Sequence, residues 1–388
     1  MENSGFFLCF APMKLYVIAG EASGDLHGSN LLKALYKLQP ELECRVWGGD
    51  LMQAAGSTLV KHYRDLAFMG FVEVVKNLRT ILQNISFCKT DILAFQPDAL
   101  VLIDYPGFNL RIARWARQQG IPVIYYISPQ IWAWHRSRVY DIRRDVDKML
   151  VILPFEQAFF KEFGMEVEYV GHPLLDALQS SGQKSERENS NVIALLPGSR
   201  RQEVQRILPE MLAITPYFKE FQFVIAGATS LPTDYYQSFL KDYPEVRLVK
   251  GETYALLQTA HAALVKSGTS TLETALFGVP QVVCYTGSPV SYHIAKRLVK
   301  VKFISLVNLI LDRPLVKELI QHELNTSNLK AALQHVLDPA GRSEIVSGYE
   351  ELKHMLGDGG ASMRAAQVIL QYLTQRQKTA NSQPIITQ

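Results

Sequence analysis

The sequence predicts an α/β protein made of two doubly wound, Rossmann-like domains whose parallel sheets face a shared cleft. Short apolar runs alternate with longer helical patterns throughout the chain, which is typical of parallel sheets covered on both faces by helices. The chain has 388 residues, more than one hydrophobic core usually holds, so two domains are expected. A polar stretch without periodicity at residues 180–190 separates the two halves and indicates a linker or surface loop.

The apolar runs predict the strands of each half, in domains that span residues 13–178 and 191–345, with tails at 1–12 and 376–388. The predicted strands of the first half are Leu15–Ala19, Arg45–Trp47, Ala99–Ile103, Val123–Ile127, Met149–Leu153 and Glu168–Val170. Those of the second half are Val192–Leu196, Phe221–Ala226, Val246–Val249, Ala262–Val265 and Gln281–Tyr285.

Composition narrows the class of protein. Apolar residues make up 48% of the chain and charged residues 20%, the balance of a soluble globular protein. A net charge of +3 is too small to indicate a nucleic-acid partner. The cysteines lie far apart, without a Cys-x-x-Cys pair, which predicts reduced thiols in a cytosolic protein and no metal site. They are Cys9, Cys44, Cys88 and Cys284.

The beginning of the chain does not have the pattern of a targeting segment. Residues 1–12 lack a basic leader, and their apolar stretch is shorter than a signal-peptide core. Met13, directly before the first predicted strand, is an alternative start to Met1. No run approaches the ~20 uninterrupted apolar residues of a membrane span.

Ligands of open α/β sheets bind beyond the carboxyl ends of the strands, so chemistry is expected in the segments that follow the predicted strands. These segments are Gly20–Asp25, Asp104–Asn109, Ser128–Trp134, Pro197–Arg201, Gly227–Thr229, Lys266–Glu273 and Tyr285–Gly287. Neither a P-loop nor a Gly-x-Gly-x-x-Gly turn occurs among them, so we expect no dinucleotide cofactor.

Two glycine-rich turns in the second half are the strongest functional signal, Leu195–Arg200 and Lys266–Glu273. Each follows a predicted strand and begins a helical pattern. That arrangement presents backbone N–H groups at the positive end of a helix dipole, where phosphate binds. Two such turns in one domain predict a diphosphate held between them.

The residues that begin these two helices have open interpretations. Ser270 and Glu273 have the spacing of a capping box, so Glu273 is either a helix cap or a carboxylate that accepts ribose hydroxyls. Ser199 is the expected cap of the other helix, completed by Gln202, which puts Arg200 and the next arginine in the first turn. The helix dipole disfavours cations there. We therefore favour anion binding for Arg200 over extension into solvent.

Asp104 is the first candidate general base, because it ends a buried predicted strand. Partial removal from water makes a carboxylate more basic, and general base catalysis typically contributes ~10²–10⁴ in rate. The competing interpretation is a turn-forming role before Pro106. Asp25 is the alternative base, although it also fits an ordinary acid in a first helical turn.

Two further segments combine apolar and basic residues. Trp132 and Trp134 precede a basic cluster that extends to Lys148, which indicates a solvated helix face or a site for an anionic amphiphile. Residues 68–85 carry an apolar stripe that is mostly core, but large apolar residues at its start exceed one buried face. An acyl-chain groove or a membrane-surface contact is the alternative.

Eight motifs, taken together and in order, resemble the lipid-A-disaccharide synthase family from Met13 to about residue 370. They are Gly20–Asp25, Ile103–Asn109, Ser128–Trp134, Leu153–Glu156, Gly171–Pro173, Leu195–Arg200, Ser267–Thr269 with Glu273, and Ser305–Leu309. The resemblance implies the GT-B fold, in which a last helix, here at about 350–375, packs back on the first domain.

The resemblance also implies an inverting hexosyltransferase of lipid A biosynthesis. It would condense UDP-2,3-diacylglucosamine with 2,3-diacylglucosamine 1-phosphate into a β-1,6-linked disaccharide 1-phosphate, releasing UDP, without metal or cofactor. The enzyme is then expected to bind peripherally at the cytoplasmic face of the inner membrane. A homodimer is also compatible with the resemblance. The alternatives are an enzyme like UDP-N-acetylglucosamine 2-epimerase, a peptidoglycan-type glycosyltransferase, or a non-catalytic nucleotide- or lipid-binding module.

Site residues follow from the same resemblance. Asp104 corresponds to the essential acid and Ser23 to the loop near the reacting sugar. The donor-side residues are Ser199, Arg200, Ser267, Gly268, Thr269, Ser270, Glu273 and Asn308, and further substrate contacts are Asn109, Trp132 and Trp134. Lys266 is a departure, because a small residue is expected before Ser-Gly-Thr. It either adds a phosphate contact or caps the strand.

Overall fold

The computed structural model describes residues 12–66, 78–180, 190–287 and 302–381. The chain divides into two compact units. The first consists of Met1–Asp176 together with Gly359–Gln388, and the second of Ala177–Asp358. The apolar residues 68–77 and the linker at 181–189 lie outside the described residues.

A parallel sheet of seven strands, in the order β3-β2-β1-β4-β5-β6-β7, forms the first unit. The strands are β1 (Lys14–Ala19), β2 (Glu43–Gly48), β3 (Thr58–His62), β4 (Ala99–Ile103), β5 (Val123–Tyr126), β6 (Lys148–Val151) and β7 (Glu168–Tyr169). The helices are α1 (Ala22–Leu38), α2 (Asp50–Ala54), α3 (Leu78–Phe95), α4 (Pro106–Gln118), α5 (Ile131–Trp134), α6 (Arg138–Asp145), α7 (Glu156–Lys161) and α8 (Pro173–Ser180), which runs across the unit boundary.

A parallel sheet of six strands, in the order β10-β9-β8-β11-β12-β13, forms the second unit. Its strands are β8 (Val192–Leu196), β9 (Gln222–Gly227), β10 (Arg247–Lys250), β11 (Ala262–Lys266), β12 (Gln281–Tyr285) and β13 (Glu318–Ile320). Its helices are α9 (Arg201–Leu212), α10 (Thr233–Leu240), α11 (Thr253–Thr259), α12 (Thr269–Leu276), α13 (Leu306–Leu311), α14 (Thr326–Leu337) and α15 (Pro339–Leu356).

Both sheets reverse their strand order once, and the reversal decides where ligands are expected. In the first unit the switch lies between β1 and β4, where Ala19 pairs with Ile103. In the second it lies between β8 and β11, where Leu196 pairs with Val265. In open α/β sheets the crevice at such a switch point is the usual ligand site.

The predicted doubly wound sheets are confirmed, and each predicted strand is present. The strands beside the switch points are buried on both faces: Leu15 to Ala19 and Leu100 to Ile103 have no exposed surface. The prediction missed β3 and β13, which lie at the outer edges of the two sheets. Edge strands are only partly covered, so β3, with its Lys61 and His62, lacks a continuous apolar run.

A long final helix, α16 (Ala361–Asn381), returns to the first unit and packs against α1. Asp176 holds its beginning, because Oδ1 accepts the N–H of Gly360 (2.5 Å) and Oδ2 that of Ser362 (2.8 Å). Arg364 fixes it further by donating from Nε to Val170 O at 2.9 Å. The returning segment therefore begins near Gly359 rather than at about residue 350, because α15 still belongs to the second unit.

Within the described parts of the chain, no helix combines the length and apolar character needed to span a bilayer. Over the same residues, no three His, Cys, Asp or Glu side chains cluster in a way that would hold a metal ion. The described cysteines, Cys44, Cys88 and Cys284, are buried free thiols.

Candidate active site

Asp104 follows the last residue of β4 at the switch point of the first unit, in a strained backbone. Asp104 has φ +45° and Tyr105 has φ +50°, both in the left-handed region, and nearby Ile127 has φ +67°. Non-glycine residues rarely adopt this conformation, and for a β-branched residue it is a clear outlier. Such strain persists only where surrounding contacts impose it, and it concentrates at functional sites.

Two side chains hold the Asp104 backbone in this conformation. Tyr125 Oη donates to Asp104 O at 2.5 Å, and Asn109 Nδ2 donates to the same oxygen at 2.8 Å. Asn109 is fully buried, and its Nδ2 also lies 3.2 Å from Ile103 O and 3.4 Å from Ile18 O. Asn109, which stays a predicted substrate contact, holds the turn that carries Asp104 through these hydrogen bonds.

The alternative base, Asp25, has a different environment. Its carboxylate is 3% exposed and accepts three backbone N–H groups at the beginning of α2. Oδ1 lies 2.8 Å from Gly49 N and 3.0 Å from Met52 N, and Oδ2 lies 3.2 Å from Leu51 N. A carboxylate so occupied caps a helix. Ser23 lies in the first turn of α1 and is half-buried.

Trp132 contributes to packing in the first unit. Its side chain is 8% exposed and meets the ring of Phe155 edge-on, with 5.0 Å between centroids. Beside it, Glu156 accepts the N–H of Leu153 (2.9 Å) and Ile152 (3.1 Å) while it is 1% exposed. Burial raises the pKa of Glu156 to about 7. The Trp134 side chain lies outside the described residues.

The basic cluster after Trp134 is largely paired with acidic groups. Arg144 lies 3.0 Å from Asp141 and 2.6 Å from Asp145, and Arg136 lies 2.5 Å from Glu162. This pairing supports the interpretation of a solvated, ion-paired helix face over a site for an anionic amphiphile.

In the second unit, the turn after β8 is closed by a residue that the sequence reasoning missed. Glu203 Oε2 accepts the N–H of Ser199 (3.1 Å) and Arg200 (3.3 Å). A Cβ on Gly198, which has φ +113°, would approach that oxygen to 2.5 Å. The helix therefore begins one residue later than predicted: Arg200 is its N-cap and Glu203 is the acid of the capping box. The prediction of Ser199 as cap with Gln202 was wrong.

The two arginines at this turn have different surroundings. Arg200 Nη1 lies 3.6 Å from Glu203 Oε1, and its side chain is 50% exposed. Arg201 instead stacks on Tyr235, with its guanidinium carbon 4.1 Å from the ring centroid. Arg200 thus lies beside a carboxylate, whereas Arg201 is held against an aromatic ring.

The turn after β11 begins helix α12, for which Gly268 is the N-cap. Within the described residues no side chain caps this end, so the first N–H groups of α12 are available to an external acceptor. Thr269 and Ser270 thus already lie in the first turn, and the prediction of Ser270 as N-cap was wrong. The Ser267 hydroxyl donates to Ile304 O at 2.8 Å.

Glu273 lies further along α12 than the position of a capping-box acid. Its Oε1 lies 3.5 Å from Tyr254 Oη. Burial raises the pKa of Glu273, and the hydroxyl groups of Tyr254 and Ser270 partly offset that increase. Glu273 is therefore not a helix cap, and the interpretation that remains is a carboxylate that accepts ribose hydroxyls.

Asn308 supports the turn after β11 from behind. It is fully buried: Nδ2 donates to Val316 O and Glu318 Oε1, both at 2.9 Å, and Oδ1 accepts Val316 N–H at 2.9 Å. Glu318 in turn accepts the N–H of Ile304 (2.9 Å), whose carbonyl receives the Ser267 hydroxyl. This chain of contacts links Asn308, which stays a predicted donor-side residue, to the turn after β11.

Of the residues that the sequence analysis missed, only Glu203 has a recognisable signal in the sequence. Glu203 is three residues after Arg200, the spacing of a capping box shifted by one position. Tyr125 and Glu318 lie within strands that form no recognisable motif, so their contacts follow only from the packing of the sheet.

Two parallel α/β sheets, each with one switch point, have the architecture of the GT-B fold. The sequence pattern of the lipid-A-disaccharide synthetase family matches residues 15–370. The lipid-A-disaccharide synthase of Syntrophus aciditrophicus (strain SB) is 41% identical over 370 residues, covering 91% of this chain and 96% of that protein. The chain belongs to the lipid-A-disaccharide synthetase family, and it is a glycosyltransferase of lipid A biosynthesis.

Solved structures share its fold at low sequence identity. The UDP-GlcNAc 2-epimerase of Neisseria meningitidis, bound to UDP-GlcNAc, has a TM-score of 0.65 and 14% identity, covering 92% of this chain and all of that one. The glycotransferase of kitacinnamycin has a TM-score of 0.63 and 15% identity, covering 93% and 99%. The epimerase, peptidoglycan and non-catalytic alternatives are not favoured, because the family match is to lipid-A-disaccharide synthetase.

Proposed function

We propose that this enzyme transfers the diacylglucosaminyl group of UDP-2,3-diacylglucosamine to the 6-hydroxyl of 2,3-diacylglucosamine 1-phosphate. The family match over residues 15–370 carries this proposal. The donor is α-linked to UDP and the product is β-linked, so a single displacement with inversion suffices. One general base and one site for the departing diphosphate are then required.

Asp104 is the proposed base. Its carboxylate takes the proton of the acceptor hydroxyl as that oxygen forms a bond to C1 of the donor sugar. The bond from C1 to the diphosphate oxygen breaks, and UDP leaves with the electron pair. The strained turn held by Asn109 and Tyr125 supports this role, because it fixes the Asp104 backbone at the switch point. Asp25 is less suited, since its carboxylate is occupied by three backbone N–H groups.

The donor's UDP is proposed to bind at the two glycine-rich turns of the second unit. The first N–H groups of α12, from Thr269 and Ser270, face an anion at the positive end of the helix dipole. Arg200 supplies a cation, and Glu273 with Tyr254 accepts or donates hydrogen bonds at the ribose. Preorganised donors of this kind stabilise the charge that develops on a leaving group.

The acylated substrates suggest association with the surface of the inner membrane. Helix α3 carries large apolar side chains that are half exposed, Leu82 (56%), Phe87 (49%) and Leu93 (51%). These residues continue the apolar stripe predicted from the sequence. We propose peripheral binding at the cytoplasmic face, which a vesicle sedimentation assay of the protein and a Leu82→Ser, Leu93→Ser variant measures. Equal sedimentation of both proteins would contradict a role for this face.

The decisive experiment is turnover of the two proposed substrates by purified protein. We expect disaccharide 1-phosphate and UDP in equal amounts, and we expect Asp104→Asn to reduce kcat by ~10²–10⁴ with UDP affinity retained. An intact, UDP-binding protein that forms no disaccharide would refute the proposed substrates. An Asp104→Asn variant with normal kcat would refute the assignment of the base.

A further inference from the structure

Lys266, the last residue of β11, links the two glycine-rich turns of the second unit. Its Nζ lies 2.9 Å from Glu203 Oε1, with the lysine side chain 21% and the glutamate side chain 17% exposed. The other oxygen of Glu203 accepts the N–H of Ser199 and Arg200. The glutamate is therefore fixed by one turn and holds the ammonium group of the other.

The ammonium group lies close to the beginning of α12. A Cβ built on Gly268, the N-cap of that helix, would be 3.6 Å from Lys266 Nζ. Lysine has three N–H donors, and Glu203 is its one acceptor among the described contacts. The remaining donors suit an oxygen acceptor at the same helix end, where Thr269 and Ser270 present their N–H groups.

The charge balance of this cluster depends on Lys266. Within the cluster of Arg200, Glu203 and Lys266, the charges of Arg200 and Glu203 lie 3.6 Å apart and offset each other. With Lys266, one net positive charge remains beside the helix end. Hydrogen bonds between ionised donors and phosphate are shorter and about twice as strong as neutral ones.

We propose that Lys266 is a binding residue for the diphosphate of the nucleotide, and that Glu203 is the positioning residue that holds it there. This inference rests on the proposed function, because it concerns the same diphosphate. UDP bears more negative charge than a UDP-sugar, since its terminal phosphate is no longer esterified. Lys266 therefore favours the leaving group more than the intact donor.

Calorimetric titration of the full-length protein with UDP and with uridine tests the proposal. We expect Lys266→Met to weaken UDP binding by about tenfold or more and to leave uridine binding unchanged. Lys266→Arg should restore most of the UDP affinity. The control is Lys330→Met, which removes the same charge from helix α14, where Lys330 lies 4.5 Å over the ring of Tyr217. We expect normal affinity for this control.

Glu203→Gln distinguishes positioning from simple charge. Removing a negative charge would by itself tighten UDP binding, whereas loss of the fixed partner of Lys266 should weaken it. Weaker UDP binding with unchanged uridine binding supports the proposal, and tighter UDP binding overturns the role of Glu203. A Lys266→Met protein that loses UDP and uridine affinity equally, or neither, overturns the role of Lys266. If either variant overturns a residue role but the unmodified protein still turns over substrate, the proposed function stands. If the unmodified protein binds no UDP, the proposed function and this inference both fail.

Discussion

The two switch points of this enzyme have the same topology and opposite chemistry. In the first unit a non-glycine turn in the left-handed region presents a carboxylate, Asp104, and buried neutral groups hold it. In the second unit glycines begin the turns, and the charged residues Arg200, Glu203 and Lys266 surround them.

This difference shows how one topology presents two kinds of chemical group. Parallel strands of a doubly wound sheet deliver the residues after each strand to the same edge. What binds there depends on whether a strand ends in an acid or in glycine and serine. The side chains that fix each turn differ accordingly: an amide and a hydroxyl hold the turn of Asp104, and ion pairs surround the turn of Arg200.

Replacing Asp25 should have the largest effect on stability. It tests whether Asp25 has a structural role, in contrast to the role of base proposed for Asp104. Asp25→Ala leaves three backbone N–H groups without their acceptor, and each buried unsatisfied donor costs ~1–3 kcal/mol, so we expect a loss of roughly 3–5 kcal/mol. Asp25→Asn should lose less, because its one oxygen can still accept from Gly49 and Met52. Urea denaturation measures both. A fully stable Asp25→Ala protein with no activity would instead make Asp25 the base.

Glu156 and Glu203 are two carboxyl groups in different surroundings: Glu203 pairs with Arg200 and Lys266, whereas Glu156 has no ion pair among the residues that the structure describes. Burial raises the pKa of Glu156 to about 7, above the ordinary ~4.3. The folded state therefore holds the proton more tightly. Its contribution to the free energy of unfolding is fully present below the ordinary pKa and is lost as the pH rises through about 7. We expect up to about 3 kcal/mol of stability to disappear between pH 4 and pH 8.

Denaturation of the wild type and Glu156→Gln at several pH values measures this loss. The glutamine can still accept the N–H groups of Ile152 and Leu153 but does not titrate. The difference in unfolding free energy between the two proteins should therefore change with pH across this window. An unchanging difference would show that folding does not raise the pKa of Glu156.

Asn109 and Asn308 are buried asparagines that support the turns at the two switch points. Replacing Asn109 should affect mainly kcat, and replacing Asn308 should affect mainly UDP binding. Asn109→Ala frees the turn of Asp104, so we expect kcat to fall by about 10–100-fold with UDP affinity unchanged. Asn308→Ala loosens the segment that receives the Ser267 hydroxyl, so we expect weaker UDP binding as its main effect. Steady-state kinetics with UDP as inhibitor measures both. The same pattern in both variants would remove the distinction between the two turns.

The sequence was sufficient for the parts of this molecule that follow from local pattern. Continuous apolar runs predicted the central strands, because these are buried on both faces, and glycine after a strand predicted the two turns that begin α9 and α12. It placed the helix starts at Ser199 and Ser270 one or two residues away from Arg200 and Gly268, because several polar residues in each turn can cap a helix.

The contacts between distant segments could not be predicted. The hydrogen bond from Tyr125 to Asp104 and the pairing of Lys266 with Glu203 join different strand ends, so they depend on strand order and register. Asp25 had the sequence of an ordinary helix acid, and only its burial against α2 shows that its oxygens are already occupied. Asn109 and Asn308 were predicted as substrate-side residues, and this stays a prediction; their contacts lie with the backbone and Glu318 behind the turns.

The smallest expected effect compares the two adjacent arginines of the first glycine-rich turn. Arg200 is half exposed near Glu203, whereas Arg201 stacks on Tyr235. One charge-assisted hydrogen bond contributes about 1.5–3 kcal/mol, and solvent screening of an exposed arginine reduces that. We therefore expect Arg200→Ala to weaken UDP binding by about three- to tenfold.

Arg201→Ala is the control, with the same loss of charge. It should leave the affinity for UDP within about twofold, because the Arg201 guanidinium stacks on the Tyr235 ring. Titration with UDP at two salt concentrations compares them, and the Arg200 effect should shrink at the higher one. Equal losses in both variants would mean that the turn attracts UDP through its overall charge rather than through Arg200.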